Sequence, residues 1–490
     1  MSEARKSPVS DERSRAFAVV LAAGFMSLLG VSVVNVALPS IENNLGATDT
    51  QVQWILAGFA LTFGLTLVPA GKAGDIFGRR VLFMLGVAGF TISSLLLGLA
   101  TTGNWLVVLR LVQGAFAGVM NPQVVGLIQD LYQGRSRARA FGAYGAVIGV
   151  STAVGPMVGG MLLSWLGPDF GWRSVFLVNV PVGAALLILM YLWLPRDRHR
   201  LDPEGPGLAK QFDPLGMVLL GAVTLLLMWP FLESSEDGHP GLPHGLFWYL
   251  GAALATLLLL LWWEKAWYRM GGSALLDPRL ARSPSYLLGL AAGLTYFAGF
   301  TSVFVVFTLF LQQGLGFSPL MAGLSQMPFA LLSAVSAGAS GRLVSRWGRV
   351  VPMLGALVVM VGMFTIAILA RTLPEGGLAA GLIVTLSLTG LGSGLIISPN
   401  QTLTLESAPR SAAGMAGAVL QTLQRVGTAV GMSVVTTVFF VTIATTASDS
   451  LSVSMRAGFA NSMLVVAAIV TLTFVVNLVD QLRRKETPIE

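Results

Sequence analysis

The chain has 490 residues, of which 54% are hydrophobic and 11% charged, with a mean hydropathy of +0.76 and a net charge of +7. A water-soluble domain carries about 25% charged residues, so this composition excludes a soluble globular protein. The absence of any cysteine excludes disulfides, thiolate metal sites and cysteine nucleophiles.

The hydrocarbon core of a bilayer is about 30 Å thick, and a helix needs roughly 20 apolar residues to cross it. Fourteen stretches meet that measure: 16–38, 51–71, 81–101, 105–131, 139–165, 174–194, 214–232, 246–263, 284–312, 319–340, 350–371, 377–405, 413–441 and 458–481. Before them, residues 1–15 form a polar tail with Arg5, Lys6, Arg13 and Arg15. The first span closes on Ala37-Leu38-Pro39-Ser40, with no small-x-small cleavage site, and reads as a retained membrane segment. Residues 195–213 are polar, Pro/Gly-rich and basic, as a linker is, and 264–283 form a second linker. A short tail, 483–490, ends the chain.

The basic residues set a topology. With the N-terminus placed in the cytoplasm, 25 of the 30 Lys and Arg fall in inner loops and tails. Outer loops hold Arg173, Arg371 and Arg456, and Arg110 and Arg425 lie inside spans. This bias is the positive-inside pattern, which places both termini in the cytoplasm and the protein in the cell membrane. It reads the net charge as topology anchoring, and no nucleic-acid partner is expected.

The chain repeats itself. Gly71-Lys72-Ala73-Gly74-Asp75-Ile76-Phe77-Gly78-Arg79-Arg80 follows the second span, and Gly341-Arg342-Leu343-Val344-Ser345-Arg346-Trp347-Gly348-Arg349-Val350 follows the tenth, 270 residues on. Gly118, Asp130 and Thr152-Ala153-Val154-Gly155 recur as Gly394, Glu406 and Thr428-Ala429-Val430-Gly431 at an offset of 276. The expected fold is therefore an all-α membrane protein of fourteen transmembrane helices. Two pseudo-symmetric six-helix bundles, 16–194 and 284–482, flank an inserted helix pair, 214–263. Many secondary transporters are built of such repeats, with the substrate site near midplane between them.

In the loop Gly71 to Arg80, Gly71 and Gly78 permit a tight turn, and Asp75 is placed to accept from Arg79 or from the N–H groups opening the third span. With Arg80 these residues make a charged clasp suited to holding one end of the bundles together and letting go when they rock. A Gly-Pro step removes one helical hydrogen bond, so the fifth span is expected to bend at Gly155-Pro156, with Gly159 and Gly160 allowing close packing.

The loop resembles the signature loop of the major facilitator superfamily, Gly-x-x-x-Asp-x-x-Gly-Arg-Arg/Lys. Four more stretches resemble that family's fourteen-helix drug:proton antiporter branch: Asn35 to Ile41, Arg110-Leu111-Val112-Gln113-Gly114, Gly155-Pro156-Met157-Val158-Gly159-Gly160, and Trp172 to Pro181. The resemblance covers nearly the whole chain. It implies a secondary active transporter that exports amphiphilic small molecules or drugs by alternating access, coupled to protons. It also implies that Asp130 joins Arg79 in the clasp and that the Gly155 motif seals or shapes the path.

One departure bears on the drive. Many relatives in that branch carry an aspartate five residues before the asparagine corresponding to Asn35, where this chain has Gly30. All 23 carboxylates lie at span ends, in loops or in tails, and His199, His239 and His244 lie in loops. Meanwhile Arg110 and Arg425 sit inside the membrane, where an arginine costs on the order of 2.5–3.5 kcal/mol without a partner or a wet cavity. The expected cavity is net positive and amide-lined, formed by Asn35, Arg110, Gln113, Gln312, Gln326, Asn400, Gln421 and Arg425. It would favour an anionic or zwitterionic amphiphile. In the alternative reading, both arginines bond carbonyls and amides for structure.

Membrane lipid is the surrounding partner, and protons are a candidate second one. No cofactor or metal is expected. Two rival functions stay open: a lipid or metabolite exporter or facilitator with weak or no proton coupling, and, remotely, a membrane-embedded enzyme. The second lacks a His-x-x-Glu-His-like motif and a buried acid beside a histidine.

Overall fold

The structure is a computed structural model that describes residues 8–196, 213–233, 245–272, 280, 282–408, 413–446 and 451–485. Parts of the expected tails 1–15 and 483–490 and of the linkers 195–213 and 264–283 lie outside the described residues, as do the side chains of Asn35 and Pro156.

All regular structure among the described residues is helical. In hydrocarbon every backbone N–H and C=O must be satisfied within the segment, which a helix does and a lone strand does not. The first group of helices is α1 (Pro8–Ser32), α2 (Val34–Leu45), α3 (Asp49–Phe77), α4 (Arg79–Gly98), α5 (Gly103–Leu131), α6 (Gly134–Leu177) and α7 (Asn179–Trp193). Then come α8 (Pro214–Glu233) and α9 (Leu246–Arg269). The last group is α10 (Pro284–Leu309), α11 (Pro319–Leu324), α12 (Met327–Trp347), α13 (Val350–Thr372), α14 (Glu375–Thr404), α15 (Ala413–Thr445) and α16 (Leu451–Lys485). Twelve helices among the described residues are long and apolar enough to cross a membrane, and Met157–Gly167 and Pro214–Pro230 are shorter apolar helical stretches.

Local chemistry starts these helices where polar residues meet apolar runs. Thr48 and Gln51 form a reciprocal capping box at α3. Thr102 accepts from the Trp105 N–H at α5. Ser283 and Ser318 cap α10 and α11, each followed by a proline at the first helical position, where its missing N–H costs nothing.

The backbone departs from the expected spans in three places. The first span is two helices, broken at Val33. The stretch 139–165 runs on past its expected end to Leu177, so that α6 takes in the first residues of the span 174–194 before α7 begins at Asn179, and its non-helical backbone among the described residues falls at Gly167 (φ 75°). That is a left-handed conformation in which a side chain would clash. Pro156 lies within α6, since a proline inside a helix forfeits one hydrogen bond without forcing positive φ. Finally, α10 runs into a π-helical turn, Phe310–Gly314.

The two groups meet along two seams, α3 against α15 and α6 against α12. Both are tightest at the end that carries the turn between α3 and α4, here termed the basic end. A Cβ on Gly71 would lie 2.8 Å from Ala418 Cβ and 2.9 Å from the Gly414 carbonyl oxygen. At the corresponding place, a Cβ on Gly341 would lie 2.7 Å from the Ala138 carbonyl oxygen and 2.8 Å from Arg139 Cα. Lipid supplies no hydrophobic push between helices, so backbone approach through small residues is what holds such seams.

The α8–α9 hairpin lies on one of them. Helix α8 packs on both α3 and α15, with Leu61, Met228 and Val426 forming a buried cluster and the Trp54 and Trp229 rings 5.6 Å apart. The hairpin has its own lock: Asp213, fully buried, accepts from the Gly216 N–H at the start of α8 and from Trp263 Nε1 of α9 at 2.9 Å.

Replacing Gly341 by leucine drives a side chain into the α6 backbone. Overpacking of this kind costs about 1–3 kcal/mol, so Gly341→Leu is expected to lower the thermal unfolding midpoint in detergent. An unchanged midpoint would refute the close approach of α6 and α12.

Candidate functional site

At the basic end, the turn from α3 to α4 is centred on Gly78, whose φ of 103° suits a glycine. Arg79, 2% exposed, is directed back into the protein. Its guanidinium lies 2.7 Å from Asp75 Oδ1 and 2.7 Å from Asp130 Oδ2, and donates to the Gly126 carbonyl. Arg80 instead ties α4 to α7, donating to the Tyr191 carbonyl at 2.7 Å.

Asp75 does more than face Arg79. Its carboxylate accepts from the N–H groups of Gly414 (3.2 Å) and Met415 (3.0 Å), in the first turn of α15 as described. Sequence alone points to the N–H groups opening the third span. The structure gives those of a helix 339 residues away, because α3 and α15 touch at Gly71 while Gly78 turns α4 aside. A carboxylate on a helix N-terminus gains from both the hydrogen bonds and the helix dipole. Asp75 thus fastens one group of helices to the other.

The second copy of the loop is built differently. Arg349 donates to the Leu403 carbonyl, as Arg79 does to Gly126, but its carboxylate partner is Asp480 of α16. Ser345 stands where Asp75 would be. A cavity of about 540 Å³ opens here, lined by Arg137, Ser345, Arg349, Thr402, Glu406 and Gln481.

Deep in the helices the two membrane arginines part company. Arg110, 1% exposed, donates from Nε to the Ile55 carbonyl (2.9 Å) and from Nη1 to Gln113 Oε1 (2.7 Å). Gln113 Nε2 in turn donates to Ser94 Oγ at 2.7 Å. These bonds bind α5 to α3 and α4 inside the first group. Arg425 of α15 lies on the α3 seam, 5.0 Å above the Phe63 ring and near the Tyr144 phenol of α6. Its Nε has no hydrogen-bond partner, nor do Gln421 Nε2, one turn back, and Gln424 Nε2. Tyr144 reaches Asn121 (3.5 Å), which donates to Ser27 Oγ (3.1 Å), so the polar set extends across α6, α5 and α1.

Of the other expected residues, Asn400 is buried and accepts from Thr404 Oγ1. Gln326 donates to Thr308 Oγ1 at 2.8 Å, and Gln312 sits in the π-helical turn, half-buried. Both lie toward the end opposite the clasp, apart from Arg425. In the Gly155 motif, Gly155 is buried and Gly160 half-buried. A Cβ on Gly159 would lie 3.0 Å from the Val33 carbonyl, so this motif packs α6 on the break between α1 and α2. A Cβ on Gly30 would meet Phe90 Cζ at 3.0 Å and Asn179 Nδ2 at 3.9 Å, so this position faces α4 and α7.

Sequence reasoning misses Phe59, Phe63, Tyr144 and Asp480. Aromatic residues are common on lipid-facing surfaces, and only the contacts with Arg110, Arg425 and, for Asp480, Arg349 single these out.

Stacked apolar helices, an internally repeated clasp and a buried polar centre between two groups define a multi-pass membrane transporter. The chain belongs to the Major Facilitator Superfamily, whose family model matches residues 20–432. It is a transporter and not an enzyme. The chain is 34% identical over 446 residues to the probable actinorhodin transporter of Streptomyces coelicolor, covering 91% of this chain and 75% of that protein. It is 31% identical to the tetracenomycin C resistance and export protein of Streptomyces glaucescens, over 87% and 76% of the two lengths. It is 34% identical to a puromycin resistance protein of Streptomyces alboniger, over 86% and 80%. The solved structure of the human organic anion transporter MFSD10 has the same fold, with a TM-score of 0.65 and 17% identity over 96% of this chain and all of that one.

Asp75→Asn keeps the shape and removes the charge. Losing a charge-assisted bond to a buried partner costs about 1.5–3 kcal/mol. The variant is expected to loosen the basic end by roughly tenfold or more in the closing equilibrium. Labelling of a cysteine placed at Ala418 by a membrane-impermeant maleimide, in inverted vesicles, reads this. Labelling no faster than in an otherwise unaltered chain would show that Asp75 does not fasten the seam.

Proposed function

We propose that this protein is a fourteen-helix drug exporter of the cell membrane, with two six-helix bundles (16–194 and 284–482), an inserted pair (214–263) and both termini cytoplasmic. It moves anionic or zwitterionic amphiphiles outward by alternating access. The observation that carries the substrate charge is Arg425: a guanidinium at the meeting of the bundles, with unmet donors on Arg425, Gln421 and Gln424. An unmet buried donor costs about 1–3 kcal/mol, and an incoming acceptor removes that cost. Export of antibiotic-like molecules is supported by the relatives named for actinorhodin, tetracenomycin C and puromycin.

In this reading the basic end faces the cytoplasm, and Asp75 on the first turn of α15 holds it shut. Release of that contact lets the bundles rock, opening Arg425 to the cytoplasm or inner leaflet. Asp75 and Asp130, which share Arg79, are the carboxylates best placed to take up a proton and let go. A second reading, a lipid or metabolite exporter without strong coupling, is favoured by Gly30, which brings no carboxylate into the first span.

Flux of an anionic and a cationic amphiphile through proteoliposomes, with and without an opposing pH gradient, tests both. The anion should be carried preferentially, the gradient should accelerate it, and Arg425→Gln should reduce its flux by about tenfold. Preferential transport of the cation by both wild type and Arg425→Gln would overturn the substrate reading. Flux indifferent to the gradient would exclude proton antiport in favour of the second reading. Deletion of the gene should sensitise cells to toxic amphiphiles if drugs are its cargo, and leave resistance unchanged if lipids or metabolites are.

A further inference from the structure

Both membrane arginines rest on the same strip of α3. Arg110 lies 4.2 Å above the Phe59 ring, the Phe59 and Phe63 rings stack at 6.0 Å with 12° between their planes, and Arg425 lies 5.0 Å above Phe63. The result is a ladder of cation, ring, ring, cation. Its rungs differ in kind. Arg110 is pinned by Ile55 and Gln113 inside the first group of helices, and Phe59 and Phe63 are neighbours one turn apart on one helix. The last rung, Phe63 to Arg425, crosses the seam between α3 and α15. It is the rung that opens when the groups part.

We propose that this rung is a slot for a planar aromatic anion. This rests on the reading of the centre as an anion site and adds the shape of the ligand. As the seam parts, the slot gains a floor, the face of Phe63, held parallel to Phe59. Its roof is Arg425 with the amide of Gln421 one turn away on the same face of α15. A flat ring stacks on the floor, and its anionic substituent meets the guanidinium and the amide, whose Nε and Nε2 have no hydrogen-bond partner in the closed arrangement. In the empty slot Arg425 takes the ring face for itself, a cation–π contact of about 0.5–2 kcal/mol, so a ligand must bring both a π-face and a charge to displace it. An aliphatic anion brings the charge alone. A planar cation brings the ring but meets Arg425 with like charge.

The test uses three probes on the purified full chain in lipid nanodiscs: anthraquinone-2-sulfonate, decane-1-sulfonate and ethidium. Binding is read by calorimetry, with size-exclusion profiles confirming that each variant is folded. Anthraquinone-2-sulfonate is expected to bind about tenfold tighter than decane-1-sulfonate, a difference of the size that ring stacking and displacement of a cation–π contact supply. Phe63→Leu should erase that preference, bringing the two sulfonates to within about twofold of each other, while Phe63→Tyr should keep it. Equal binding of the two sulfonates by wild type, or a preference that survives Phe63→Leu, overturns the slot and leaves the anion reading standing. Preference for ethidium over both sulfonates, or binding of neither sulfonate, overturns the anion reading and the slot together.

Discussion

Apolar helices in lipid gain nothing from burying one another's apolar faces, so two groups of them stay together only where backbones come close and polar atoms meet. In this protein that constraint is met along the seam of α3 and α15. At one end Gly71 and Gly414 let the backbones touch, and Asp75 accepts two N–H groups from the opposite helix. Midway, Phe63 lies beneath Arg425. At nearly the same level, α8 covers Leu61 and Val426. The Asp75 contact, the Arg425 rung and the covering helix α8 thus share one seam between two helices.

The pseudo-symmetry of the chain makes its asymmetries informative. Arg79 and Arg349 occupy matching turns and bond carbonyls one residue out of register with each other, Gly126 and Leu403. Their carboxylates differ in origin: Asp75 comes from the same loop and reaches across the seam, whereas Asp480 comes from α16 and keeps Arg349 within its own group. The carboxylate of one loop therefore bridges the two groups, while the Arg349–Asp480 pair of its copy lies within one of them. A serine in place of an aspartate, Ser345 for Asp75, is the covalent root of that division of labour.

Much of the architecture was legible in the sequence because lipid imposes a coarse and unforgiving rule on length and apolarity. Helices α8, α10, α13, α14 and α15 fall within a few residues of the expected spans, whereas α9 runs on to Arg269, α12 (Met327–Trp347) lies well beyond the expected 319–340 behind the short α11, and α16 starts early at Leu451. What was not legible depends on single backbone positions or on distant contacts. The break at Gly167 and the junction at Val33 interrupt runs of uniform apolarity, where composition carries no mark of them. Arg110 and Arg425 look alike as letters. The difference is that Arg110 finds Ile55 and Gln113 within reach, whereas Arg425 faces Phe63 and Tyr144 across a seam that no local spacing encodes.

The placement of the α8–α9 hairpin gives the molecule a handedness toward the bilayer. Two seams join the groups of helices, and the hairpin, locked by Asp213 and Trp263, covers the one between α3 and α15. A lipophile diffusing sideways on that flank meets a wall of tryptophan and leucine before it meets the charged heart.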